Sequence, residues 1–321
     1  MRERLNKRGE KVTSQLVPEA DSGIMEGIEP YYRTSLGSAY LGDTLELIRH
    51  IPDESVSLIA TSPPYGLRYK KEYGNADPEV YNRWFMPFAE QFYRVLKPDG
   101  SFVLNIGGCW ELGKPVRSLY HFELLLNLCK TFCLAQEFVW CKPAAMPSPA
   151  QWVTVKRIRV KDAFEYVWWF SKTPYPKADN RKVLQEYTEA MKSLLKKGYR
   201  RKRRPSGYHI TDWFSKDNKG SIPPNFLVFG SQESNSYYIR MCNQHNIKIH
   251  PARFPLRLPK FFIEFLTDKG DLIFDPFAGS NVTGEAAEKN GRKWLAFELV
   301  KEYLDGSKFR FDLDQSRLNT P

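Results

Sequence analysis

No run of apolar residues in this 321-residue chain approaches the roughly 18–20 needed to cross a bilayer. Met1 to Gln15 is polar and lacks the apolar segment of a secretory signal, so the reading is of a cytoplasmic protein with no membrane partner. Cysteine is scarce. The five present are an odd number and none sits in a Cys-x-x-Cys pair, which argues for free thiols over disulfides or structural zinc, and for no metal. Cys129 and Cys133, four apart, read as one face of a buried helix. There is no internal repeat. Neither Gly-x-Gly-x-x-Gly nor Gly-x-x-x-x-Gly-Lys-Ser/Thr occurs, so binding of NAD or ATP phosphates lacks its usual support.

What is present is ordinary globular material, 42% hydrophobic and 14% aromatic, enough for one large core or two modest ones. Residues 1–35 show no hydrophobic periodicity and read as a partly ordered arm, with the fold starting near Tyr40. Strands are predicted at Val56–Ala60, Ser101–Ile106, Leu134–Cys141, Ala163–Phe170, Asp271–Phe274 and Lys293–Phe297. Between them, apolar residues at spacings of three and four predict helices near Tyr81–Leu96, Ser118–Lys130, Phe254–Asp268 and Asn281–Asn290. Strands alternating with helices predict an α/β fold with a mostly parallel central sheet covered on both faces.

The charge is unevenly spread. Of the net +11, residues 171–219 hold 14 Lys+Arg against 5 Asp+Glu, or +9, including the run Arg200-Arg201-Lys202-Arg203-Arg204. A basic insertion in an α/β core suits a polyanion, although such runs also occur as flexible solvated arms. The resulting division is an arm (1–35), a first half of the core (36–170), a basic region (171–249), a second half (250–304) and a tail (305–321).

Two loops carry chemistry. Asp275-Pro276-Phe277-Ala278-Gly279-Ser280-Asn281 follows a short strand and leads into a helix, and Glu298 ends the next strand, where an acid can accept from both hydroxyls of a ribose. Without the phosphate fingerprint the pair favours a nucleoside lacking phosphates, such as S-adenosylmethionine. Asp43 could reach its adenine or methionine portion, or simply cap a helix. Earlier, Ser62-Pro63-Pro64-Tyr65 closes a buried strand with a hydroxyl, stiff carbonyls and an aromatic face. That set suits an exocyclic amine: Ser62 Oγ and the Pro63 carbonyl accept its hydrogens while Tyr65 stacks on the ring.

These motifs, in this order, resemble the beta-class amino methyltransferases of bacterial DNA over most of residues 40–304. Thr61 to Tyr65 is similar to the family's catalytic motif, Asp275 to Gly284 to its cofactor motif, and Glu298 to its ribose acid. His250-Pro251-Ala252-Arg253-Phe254-Pro255 resembles the segment lining the methionine pocket. The resemblance implies a circularly permuted, Rossmann-like methyltransferase fold, S-adenosylmethionine as methyl donor, and residues 171–249 as an inserted target-recognition region. Double-stranded DNA would then meet Arg200, Arg201, Arg203 and Arg204, with Lys156, Arg157 and Arg159 near the pocket rim.

Phe164 or Tyr166 would wall the flipped base if the strand alternates. Ser-Pro-Pro-Tyr and the Gly279-Ser280-Asn281 variant resemble the branch acting on the 4-amino group of cytosine. Adenine N6 is the alternative, and a restriction endonuclease for the same site would be a partner. A catalytically lost DNA-binding module and a nicotinamide oxidoreductase are more distant readings. Carbon-5 chemistry is disfavoured because no cysteine follows a proline, so transfer should be direct, without a covalent base adduct.

Overall fold

A computed structural model of the chain describes residues 24–69, 71, 74–198, 216–230 and 236–311. The strands are β1 (Tyr32–Arg33), β2 (Gly37–Leu41), β3 (Val56–Thr61), β4 (Leu96–Ile106), β5 (Cys133–Cys141), β6 (Phe164–Ser171), β7 (Phe226–Val228), β8 (Leu272–Asp275) and β9 (Lys293–Glu298). They form a single sheet in the order β1-β2-β9-β8-β3-β4-β6-β5-β7. From β2 across to β4 every pairing is parallel, whereas β6 runs antiparallel to both β4 and β5. All six residues of β3 are buried, as a central strand covered on both faces requires.

The helices are α1 (Thr44–Leu47), α2 (Pro78–Val95), α3 (Tyr120–Leu128), α4 (Glu189–Lys197), α5 (Tyr237–Gln244), α6 (Arg257–Leu266), α7 (Val282–Lys289) and α8 (Lys301–Ser307). Tyr81, Phe85 and Phe92 of α2 and Leu124 of α3 pack with Phe102, Leu104 and Phe170 on one face of the sheet. Leu258, Phe262 and Ile263 of α6 and Ala286 of α7 pack with Leu58, Ala60 and Val103 on the other. Alternate residues of one strand therefore feed two different cores. Among the described residues no helix is long and apolar enough to cross a membrane.

Several sequence expectations shift. The arm drawn to residue 35 overlaps the sheet, since β1 is its edge strand and Met25 and Tyr32 are buried. The tail drawn from 305 is also part of the packed fold through residue 311: Arg310 is buried, bonded to Glu285 at 2.7 Å and to the Ser280 carbonyl at 2.6 Å. Within the basic region, β7 adds to the sheet edge beside β5 and α5 packs near α8. Cys129 and Cys133 do not share a helix, because α3 ends at Leu128, leaving Cys129 as an exposed cap and Cys133 as the start of β5. All five cysteines are free thiols.

Phe92 of α2 is fully buried against Phe85 of the same helix and Phe102 of β4. Phe92→Ala should lower the unfolding free energy by about 3–5 kcal/mol in urea titration. A loss under about 1 kcal/mol would show that this contact does not anchor the helix layer.

Candidate active site

A cavity of about 660 Å³ opens at the carboxyl ends of the parallel strands, where ligands settle in open α/β sheets. Its walls come from the segments after β2, β3, β8 and β9, with Trp84 and Phe88 of α2 and His250 to Phe254 closing the sides. Chain segments more than two hundred residues apart meet there.

On one side stands the loop after β3. Pro64 is fixed through its carbonyl, which accepts from Tyr81 Oη at 2.8 Å. Ser62 Oγ donates to Tyr65 Oη at 3.3 Å, and Tyr65 Oη donates to Glu165 at 2.9 Å with Asn105 Oδ1 at 3.2 Å. Lys142 pairs with the same Glu165 and lies 4.4 Å from the Trp140 ring. Burial first, then the charge of Glu165, pushes the Tyr65 phenol well above its ordinary value, so it stays protonated. The tyrosine ring sits so close to Gly107 that a Cβ there would fall 2.6 Å from it. Only glycine leaves that room.

The opposite side is built by the loop after β8. Asp275 is buried beneath it, accepting from Thr61 Oγ1 and from Thr283 Oγ1 at 2.6 Å each, and from the Phe277 amide at 3.1 Å. One carboxylate thus ties the end of β3 to the start of α7. Burial raises its pKa to about 6 despite those three donors. Gly279 takes φ +53°, and a Cβ there would meet the His250 ring at 3.0 Å. Glu298 accepts from the amides of Gly279 at 2.7 Å and Val300 at 2.9 Å, while burial raises its pKa. Phe277 packs at a tilt against Phe88 at 5.1 Å and Trp84 at 6.0 Å between ring centroids, giving the cavity an apolar wall. Burial likewise pushes His250 down to about 4, leaving a neutral imidazole in the cavity side.

The cavity gathers Ser62, Pro63, Pro64, Tyr65, Pro251, Phe254, Phe277, Ala278, Gly279, Ser280 and Glu298. Asp43 lines it too and also caps α1, accepting from the Leu45 amide at 2.7 Å. Asp275 and Asn281 are corrections. Both lie beneath the loop: Asn281 caps α7 from a left-handed conformation, accepting from the Gly284 amide and donating to Tyr32 Oη. Phe164 and Tyr166 are corrections as well, since β6 turns Glu165 toward the cavity and packs Tyr166 against His121 and Phe122 on the opposite face. Arg200, Arg201, Arg203 and Arg204 lie outside the described residues. Lys156 and Arg157 are exposed on the loop joining β5 to β6, and Arg159 is half-buried there.

Sequence reasoning missed Asn105, Lys142, Glu165, Trp84 and Phe88. Two of them left a signal: Asn105 interrupts the apolar run of β4, and Glu165 is the one acid in an otherwise apolar and aromatic strand.

The profile of a family described as DNA methylase, covering N6 and N4 amino methyltransferases, matches residues 56–309. The type II methyltransferase M.PvuII of Proteus hauseri is 51% identical over 290 residues, spanning 89% of this chain and 86% of that protein. The solved PvuII DNA methyltransferase, described as cytosine-N4-specific, superposes with a TM-score of 0.74 at 43% identity, covering 91% and 93% of the two chains. A modification methylase of Thermus thermophilus, solved in complex with S-adenosyl-L-methionine, shares the fold at a TM-score of 0.53 and 22% identity, covering 85% and 92%.

The raised pKa of Asp275 has a testable sign. The fold favours its protonated form, so the contribution is complete below about pH 4 and is lost as pH rises through about 6. Asn does not titrate. In urea unfolding, Asp275→Asn should therefore gain on the wild type by about 2–3 kcal/mol between pH 4 and pH 7. A difference independent of pH would contradict the burial argument.

Proposed function

This chain belongs to the N6/N4 DNA methylase family, and on that premise we propose that it transfers a methyl group from S-adenosylmethionine to the 4-amino group of a cytosine swung out of duplex DNA at a specific site. The convergence of Ser62 to Tyr65 with Phe277 to Ser280 and Glu298 on one cavity carries this reading. Likeness to M.PvuII, at 51% identity, and to the solved cytosine-N4-specific PvuII enzyme supports cytosine N4 over adenine N6. The type II designation of that relative supports a role in restriction-modification, with an endonuclease for the same sequence as partner.

The residues suit the donor. Each Glu298 oxygen already holds one backbone amide, which orients the carboxylate and leaves each oxygen a further acceptor direction for a ribose hydroxyl. Phe277, Trp84 and Phe88 offer an apolar wall for a flat heterocycle, and the volume is within the range of small-molecule sites. When bound, S-adenosylmethionine supplies a methyl carbon made electrophilic by its sulfonium.

The chain's own work falls on the amine. Its nitrogen is a poor nucleophile because the lone pair is delocalised into the ring. Ser62 Oγ and the Pro63 carbonyl accept its two hydrogens and draw it toward sp3 geometry, while the proline-fixed backbone holds both acceptors in place. The hydrogen-bond directions then give the departing proton a path: amine to Ser62 Oγ, Ser62 to Tyr65 Oη, and Tyr65 to Glu165. Because the Tyr65 pKa is so high, the tyrosine passes a proton without persisting as phenolate. Basic residues of the 171–249 region neutralise phosphates around the site, in keeping with their charge of +9 over residues 171–219.

Mass spectrometry of nucleosides from DNA treated with protein and labelled S-adenosylmethionine, with sequencing to map the position, should give N4-methylcytosine at one site. N6-methyladenine would overturn the base assignment. Ser62→Ala should lower kcat by about 10²-fold or more, and an unchanged kcat would end the acceptor role. A 5-fluorocytosine target should form no covalent complex with the protein, since no cysteine follows a proline and none lines the cavity.

A further inference from the structure

Two loops overhang the edge of the sheet on which the cavity opens. Residues 107–119 follow β4, and residues 142–163 join β5 to β6. Because Ile106 pairs with Tyr166, and Cys141 with Phe164, both loops leave the sheet beside Asn105, Lys142 and Glu165 of the cavity wall. They brace one another. The Trp110 ring has the Arg117 guanidinium 4.5 Å away and that of Arg159 at 4.1 Å. Arg117 pairs with Asp162 at 2.7 Å, and Arg159 donates to the Pro115 carbonyl at 2.5 Å. The longer loop is also tied to itself, through the Asp162 amide to the Ser148 carbonyl, Lys161 Nζ to the Ala145 carbonyl and the Ile158 amide to the Trp152 carbonyl. Such cross-ties make a stiff projection.

Its outward side chains are unusual. Met146, Val155, Ile158 and Val160 are 62–86% exposed, interleaved with exposed Lys156, Arg157 and Lys161. Large apolar groups held in water by a braced loop gain nothing for the isolated fold, and their clustering marks a contact surface. Duplex DNA answers both halves of the pattern: phosphates take the cations, and an opened base step takes an apolar wedge. Position agrees with chemistry, because the loop springs from Lys142 and returns beside Glu165, both of which line the cavity.

We propose that the β5–β6 loop is the element that inserts into the duplex, with Lys156, Arg157 and Lys161 on the backbone flanking the target and Ile158 and Val160 filling the space the flipped nucleotide leaves. This rests on the DNA-methylase reading and goes beyond it by assigning the opening of the helix to a segment apart from the basic run at 200–204.

The test compares two substrates carrying the site mapped above, one fully paired and one with an abasic position opposite the target. The abasic partner removes much of the cost of flipping. With Ile158→Ser/Val160→Ser, kcat/KM should fall at least about tenfold on the paired duplex and less than about twofold on the abasic one. An equal fall on both, or no fall on either, overturns the insertion role. In parallel, Lys156→Ala/Arg157→Ala should reduce the slope of log Kd against log salt by about 1.8, at about 0.9 per phosphate contact, and an unchanged slope overturns the backbone contacts. A wild-type protein that methylates neither duplex overturns the methylase reading itself and this assignment with it, an outcome distinct from a wild type that methylates both and a variant that matches it.

Discussion

A carboxylate sealed beneath the cavity, Asp275, holds the site together by accepting from Thr61 at the end of one strand and from Thr283 at the start of a helix. The two threonines belong to segments 222 residues apart in sequence, and each borders a loop that faces the cavity. Burial of that acid is costly, as its raised pKa shows, yet three donors converge on it. Ser62 and the wall at Phe277 and Glu298 can face one another because their strand ends are joined at this point. A second junction, Thr44 Oγ1 to the Pro276 carbonyl at 2.5 Å, fixes the loop bearing Asp43 to the same frame.

Electrostatics divides the cavity into two regions. Around Phe277 the wall is aromatic and the nearby imidazole of His250 is neutral. Around Tyr65 it is a dense polar cluster in which Lys142, Glu165, Asn105 and two hydroxyls are mutually hydrogen-bonded. Such a cluster keeps its geometry because each member restrains the next. A flat apolar ligand on one side and an amine-bearing ring on the other is the division of labour a methyl transfer between them requires.

Much of this is legible from residues alone. The strand-to-helix alternation, the proline-stiffened loop and the acid at the end of β9 all announce themselves locally, because period, proline and loop chemistry are local signals. The misreadings lie where tertiary pairing decides. In β6 both faces are covered, Trp168 and Phe170 by one core and Val167 and Trp169 by the other, so aromatic alternation cannot say which parity faces a cavity. Phe164 and Tyr166 suggest a base-binding wall by their rings, but the acid between them points inward. Asp275 and Asn281 flank a loop that faces the cavity and yet serve as its foundation, a difference set by depth rather than by sequence. Short β1 and β2 carry too few residues for a periodic signal; β1 is a strand because β2 lies alongside it, and β2 because β9 does.

That last pairing bears on how the molecule comes into being. In the finished sheet, β8 and β9 lie between β2 and β3, and Tyr32 is locked to Ser307 and Asn281. A nascent chain emerging from the ribosome therefore presents β2 and β3 with a gap between them until β8 and β9, more than two hundred residues further on, have been translated. Long-range closures of this kind slow folding. They also mean that a product stopped before β8 retains the Ser62–Tyr65 loop but has no wall opposite it, so the cavity waits on strands made long after its first loop.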